Sequence, residues 1–202
     1  RIMGEVFEFT VNGQVQRTEE DKPLLRYLRD DLKLYSVKDG CSEGACGTCT
    51  IVVDGKAIKS CVLTTKRAVG RNILTVEGLS DEWKDAFVYA FGAVGAVQCG
   101  FCIPGMVMAG TALLQNNLNP TEEDVKYALR GNICRCTGYK KIIEGILLTA
   151  KILRGEASVD ENLEKGDLYG VGQRAFRVDV RKKVLGFGKY PDDIELDGMA
   201  YV

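Results

Sequence analysis

The sequence contains no histidine in its 202 residues. That absence removes Ser-His-Asp and Cys-His catalysis, and every histidine-ligated metal, from what this chain does alone. A large net charge of either sign is also missing. Lys and Arg number 27 against 28 Asp and Glu, leaving a formal charge of −1. No global field therefore draws nucleic acid or an anionic membrane. A dinucleotide fingerprint is absent too, because Gly170-x-Gly172 and Gly186-x-Gly188 lack the third glycine and the helix context. No signal-peptide pattern opens the sequence, and the expected location is cytoplasmic. Charge is absent from Phe87 to Asn119, a run long enough to cross a bilayer. Gly92, Gly95, Gly100, Pro104 and Gly105 interrupt it, and it holds Gln98 and two cysteines. Two buried helices with a cysteine turn between them are expected there, not a membrane span.

What the chain does have is eight cysteines, all between Cys41 and Cys136. A secreted disulfide scaffold fits poorly, since such scaffolds are small and core-poor while 46% of this chain is hydrophobic. Residues 39–49 read DGCSEGACGTC, and Cys61 follows. The C-x4-C-x2-C…C order is the plant-type spacing for a [2Fe–2S] cluster, with Cys41, Cys46, Cys49 and Cys61 as thiolate ligands. Four thiolates outweigh the charge of the iron–sulfide core. Gly40, Gly44 and Gly47 let backbone wrap such an anion and turn N–H groups towards its sulfurs. Tetrahedral zinc also takes four cysteines, but such sites usually come as two C-x2-C knuckles, which this loop is not.

Period-two patterning around Phe7, Phe9 and Val11, then Asn12-Gly13 and Gln14–Thr18, predicts a hairpin with a type I′ turn. Pro23 suits the first position of a short helix bearing Leu24, Leu25, Tyr27 and Leu28. A second hairpin, Thr50–Val53 and Lys56–Cys61 around Asp54-Gly55, returns Cys61 to the loop. Asn72–Glu77 is expected as the last strand. Strand pairs, one helix and a cluster loop indicate a β-grasp domain over residues 1–79. Residues 80–155 read as a four-helix bundle. Ser80 or Asp81 caps the first helix, Pro104 opens the second, and Thr121–Asp124 forms a capping box for the third. The fourth runs from about Tyr139 to Leu153. Residues 156–170 are acidic and poor in large apolar side chains, as in a linker. Residues 171–202 carry Val178, Val180, Val184, Leu185 and Phe187, which read as strand material. That tail is too short to bury them alone, so it is expected to pack on a partner chain. The fold class expected is α+β: β-grasp domain, bundle, linker and strand-rich tail.

Cys99-x2-Cys102 and Cys134-x-Cys136 each fall between two predicted helices. An antiparallel bundle brings both turns to one end, where four thiolates can hold a second [2Fe–2S] cluster. Structural thiol pairs remain the plainer alternative. QCGFCIPG and GNICRCTGY, after GCSEGACGTCT, resemble the iron–sulfur portion of the molybdenum hydroxylases, the xanthine dehydrogenase and aldehyde oxidoreductase family. The resemblance covers about residues 5–155. It implies a ferredoxin-like β-grasp domain, a helical bundle whose cluster lies nearer a molybdopterin cofactor, and contacts to that cofactor from Gln98 and Cys136. Residues 171–202 resemble the opening segment of the family's molybdenum-binding subunit, without the rest of that domain. A short linker replaces the flavin domain of the three-part order, so FAD is expected on another chain.

The resemblance thus implies an electron-transfer subunit of an oxidoreductase. It carries no catalytic residue of its own, and pairs with a molybdenum-binding and a flavin-binding subunit. The substrate class implied is a heterocycle or an aldehyde. A freestanding ferredoxin-type carrier is the alternative, although it has no need of the bundle cysteines. A zinc-stabilised interaction module is a second rival.

Overall fold

Two left-handed dipeptides fold the strands back on themselves. In the computed structural model, which describes residues 5–159, 172, 176–194 and 196–200, Asn12 and Gly13 have φ of 50° and 80°, and Asp54 and Gly55 have 48° and 78°. Positive φ at both central residues is what a type I′ turn requires. The first turn joins β1 (Phe7–Val11) to β2 (Gln14–Thr18), and the second joins β3 (Thr50–Val53) to β4 (Lys56–Lys59). β5 (Asn72–Leu74) enters between the hairpins, giving the order β2-β1-β5-β3-β4. It runs parallel to β1 and antiparallel to β3. This mixed sheet, with one helix packed on it, is the expected ferredoxin-like architecture.

All four residues of β3 are buried, because the strand is covered on both faces. Ile51 and Val53 join Phe9, Leu24, Leu25 and Leu28 in one core, while Val52 joins the helical core. Period-two alternation thus makes one strand serve two cores.

The short helix differs in detail from expectation. Pro23 is its N-cap, with extended backbone bridged to Thr64, and not its first helical residue. α1 (Leu24–Arg26) then widens into a π-helical turn, Tyr27–Asp31, which buries Tyr27 and Leu28. β4 stops before Cys61, which lies in a 3-10 turn at Ser60–Val62. β5 stops at Leu74, and Val76–Gly78 forms another such turn.

Four helices follow: α2 (Asp81–Val94), α3 (Ile103–Asn116), α4 (Glu122–Leu129) and α5 (Lys140–Leu153). The Ser80 hydroxyl caps α2, and Thr121 and Asp124 form the reciprocal capping box of α4. Phe87, Phe91, Met106, Leu114, Ile142 and Ile146 fill the bundle core. Gly145 lets α5 approach α2: a Cβ there stands 2.9 Å from the Phe91 ring. No helix among the described residues is long and apolar enough to cross a membrane.

The tail departs from the strand-rich expectation. Its described part contains a helix, α6 (Val180–Val184), and a 3-10 turn at Pro191–Asp193. Val180 and Val184 stand four apart on one helical face, and with Leu185 they enter the bundle core. This part of the tail packs on both domains of its own chain, while Val178 and Phe187 stay exposed. Arg181 pairs with Asp85 of α2, and Asp193 pairs with Arg29 and Lys38 of the β-grasp domain. Most of the expected linker, residues 160–170, lies outside the described residues.

Candidate metal centres

The first cysteine loop leaves α1 and crosses to β3 with two backbone amides turned inward. The N–H groups of Glu43 and Cys46 each stand 3.4 Å from the Cys41 sulfur. Led by the Cys46 amide, they draw the Cys41 thiol down to about 7, so thiolate is accessible near neutrality. Cys49 lies at the dry end of the loop, where burial pushes its thiol up to about 11. Thr48 Oγ1 sits 3.2 Å from the Cys46 sulfur and donates to the Lys38 carbonyl at 3.1 Å. Lys59 closes the outside, donating to the carbonyls of Gly44 at 2.6 Å and Ala45 at 3.2 Å. Gly47 has φ +73°, and a Cβ there would lie 2.2 Å from the Gly131 carbonyl oxygen. The loop therefore closes against the bundle only with glycine at this position.

The second set gathers at one end of the bundle, in the turns α2–α3 and α4–α5. Cys102 is buried and Cys134 is half-buried, while Cys99 and Cys136 are exposed. Burial holds the Cys102 thiol well above its ordinary value. Burial also acts upward on Cys134, but hydrogen bonds from the Thr137 hydroxyl and the Cys136 and Thr137 amides outweigh it and lower that thiol. Cys136 is raised, chiefly by the neighbouring Cys99 thiol, while the Cys99 amide acts the other way. Gln98 is exposed beside them.

Among the described residues, no three Cys, Asp or Glu side chains group tightly enough to hold a single metal ion. Cys41 interacts with Cys46 and Cys49 with Cys61, while in the second set Cys102 interacts with both Cys134 and Cys99, and Cys136 with both Cys99 and Cys134. Two thiolates per iron, spread over two irons, is the demand of a [2Fe–2S] core. A mononuclear tetrahedral site asks instead for four sulfurs about one point. Four thiols and two inward amides in the first loop, and four thiols at one end of the bundle, make donor sets that fit the binuclear group.

Three residues of the GNICRCTGY stretch besides its cysteines hold these loops in place. Buried Asn132 donates to the Gly47 carbonyl at 2.8 Å and to Thr50 Oγ1 at 3.1 Å. The Ile133 N–H donates to the Cys46 carbonyl at 2.8 Å. The Tyr139 hydroxyl accepts from the Cys134 N–H at 3.0 Å. Asn132 falls within the GNICRCTGY stretch, but its partners in the first loop are long-range and appear only in the fold.

Residues 9–73 match the family described as the 2Fe-2S iron-sulfur cluster binding domain, and residues 75–147 match the [2Fe-2S] binding domain. The chain is 44% identical over 135 residues to the nicotinate dehydrogenase small FeS subunit of Eubacterium barkeri, covering 65% of this chain and 86% of that one. It is 46% identical over 139 residues to the nicotine 6-hydroxylase small subunit of Paenarthrobacter nicotinovorans, covering 68% and 84%. Its structure superposes on the aldehyde oxidoreductase of Desulfovibrio desulfuricans with a TM-score of 0.82 and 34% identity. That match takes in 94% of this chain but only 22% of the other, so the chain spans under a quarter of that enzyme's length.

Proposed function

Because the chain belongs to the iron–sulfur subunits and domains of the molybdenum hydroxylase family, we propose that it holds two [2Fe–2S] clusters. Cys41, Cys46, Cys49 and Cys61 ligate one, in a domain over residues 1–79. Cys99, Cys102, Cys134 and Cys136 ligate the other, in residues 80–155. When bound, each cluster takes up and releases single electrons, which carries charge from a molybdenum centre on a partner to FAD on another chain or to a different acceptor.

The chain's own residues supply placement. The amides of Glu43 and Cys46 point at a ligand sulfur, where they stabilise added negative charge. Cys49 and Cys102 give each site a dry side. Cys99, Cys136 and Gln98 form the exposed side of the second site. The Gln98 amide has no hydrogen-bond partner among the described residues, and it can both donate to and accept from a pterin edge. We therefore assign Gln98 and Cys136 to contact with the molybdopterin cofactor of a molybdenum-binding subunit. The substrate class is a heterocycle or an aldehyde, in line with the relatives' names. The setting proposed is the cytoplasm, with a flavin-binding subunit as the further partner.

The observation that supports this reading is the gathering of four cysteines in one loop region and four at one end of the bundle, with the Cys46 carbonyl bonded to the Ile133 N–H between the two. The test is metal and sulfide analysis of the purified chain with paramagnetic resonance after reduction. About four irons, about four labile sulfides and two distinct signals are expected. Two irons and one signal would leave only the β-grasp site. A colourless zinc protein would overturn both.

A further inference from the structure

The tail reaches the second cysteine site at two consecutive peptide groups. Lys183 of α6 donates from Nζ to the Gln98 carbonyl at 3.1 Å. The Tyr190 hydroxyl donates to the Cys99 carbonyl at 2.9 Å. A trans peptide is planar, so a carbonyl and the N–H across the same peptide bond point in opposite directions. Holding the Gln98 oxygen towards the tail turns the Cys99 N–H the opposite way, away from the tail. Holding the Cys99 oxygen likewise fixes the Gly100 N–H. The backbone leaves this pair at Gly100 with φ +88°, where a Cβ would lie 2.6 Å from the Lys183 stem. Lysine stem and peptide turn are therefore fitted to one another.

Tyr190 is itself held on several sides. Its ring meets Phe101 edge to face at 5.1 Å, and the Lys38 ammonium lies 5.0 Å from the ring centre. Its own N–H donates to Asp193 Oδ2 at 3.1 Å, and the Asp193 carboxylate is clamped by Arg29 at 2.8 Å and Lys38 at 3.0 Å. Arg29 and Lys38 are 5% and 1% exposed at the side chain, so the anchor is dry and its geometry firm.

We propose that Lys183 and Tyr190 are positioning residues of the second cluster site: they orient the Gln98–Cys99–Gly100 peptides so that backbone N–H groups face the ligand sulfurs, and so set that cluster's reduction potential. The proposal rests on the two-cluster reading above. N–H groups aimed at the sulfurs favour the reduced, more negative state, so they raise the potential. Releasing the carbonyls lets the peptides rotate and lowers it.

The test is a redox titration of the full chain followed by paramagnetic resonance, comparing wild type with Lys183→Met, Tyr190→Phe and Lys182→Met. Lys182 lies on the same helix and carries the same charge, but is exposed. In Lys183→Met and in Tyr190→Phe, the second signal is expected to fall by about a tenfold change in its oxidised-to-reduced ratio, ~59 mV for one electron. The first signal stays in place, and Lys182→Met moves neither. Tyr190→Phe changes no charge, so its shift separates orientation from a simple Coulomb effect. Loss of only the second pair of irons in these two variants, with Lys182→Met intact, also supports the assignment. Unshifted potentials in both variants overturn it, and so does an equal shift in Lys182→Met. A wild-type chain with a single signal overturns the two-cluster reading, and this proposal with it.

Discussion

Ile133 and Cys46 are joined backbone to backbone, the N–H of the first donating to the carbonyl of the second at 2.8 Å. Residues far apart in sequence thus link the two cysteine loops through one hydrogen bond, and Asn132 beside it ties the same place with its side chain. Asn132→Ala removes one of three donors to the Gly47 carbonyl, which keeps the Thr50 N–H and hydroxyl. A loss of about 0.5–1.5 kcal/mol is expected in urea unfolding of the chain. Asn132→Asp, which sets a carboxylate against that carbonyl, is expected to lose more.

Gly47 and Gly13 both have positive φ, but only one is crowded. A Cβ at Gly13 meets nothing within 4 Å, while one at Gly47 comes within 2.2 Å of the Gly131 oxygen. Gly13→Ala should therefore pay backbone strain alone, about 1–2 kcal/mol by thermal unfolding. Gly47→Ala should also push the cluster loop off the bundle, and iron analysis of the purified variant should show the first site poorly filled.

Ligand substitutions should separate the two sites by spectrum. In the assembled enzyme, Cys41→Ser is expected to abolish one resonance signal while substrate still reduces the other cluster. Cys136→Ser should remove or alter the second signal and depress turnover strongly. Freeze-quench spectra that show the second cluster reduced only when the first is intact would reverse this order.

Asp193 gives the tail a dependence on acid. Burial pushes its carboxyl up, but hydrogen bonds from Arg29 and then Lys38 outweigh that and hold it below the usual range. Burial lowers Lys38 in turn, against the opposing pull of Asp193. A depressed carboxyl stabilises the docked tail above its unfolded value, about 3.9, and that stability drains away as pH falls through the still lower folded value. The tail should resist proteolysis at about pH 5 and become cleavable by an acid protease below about pH 4. Asp193→Asn takes the carboxylate away from Arg29 and Lys38 and should weaken docking, making the tail cleavable at neutral pH.

Local chemistry made the domain cores legible. Asn-Gly and Asp-Gly gave both hairpins, Thr121 and Asp124 gave the start of α4, and the cysteine motifs marked the two loop regions where thiols gather. Long-range contacts were not legible. Val180 and Val184 are β-branched and read as strand, yet they sit four apart and enter the bundle core, so burial overrode propensity. Nothing near Lys38 announces that its ammonium receives Asp193. Asn132 and Tyr190 likewise act on partners that only the folded chain brings near.

The placement of Asp193, Tyr190 and Lys183 on one covalent chain with their receptors has a thermodynamic consequence. The tail docks as an intramolecular ligand, at an effective concentration on the order of millimolar when the connection permits the reach. A docking contact equivalent to a millimolar dissociation constant, about −4 kcal/mol, then keeps the tail bound half the time, and each further factor of ten needs only about 1.4 kcal/mol. Carried on a separate subunit, the same contacts would be diluted with the cell's content of that subunit. Fusion therefore fixes the ratio of tail to cluster site at one to one and makes its occupancy independent of expression level.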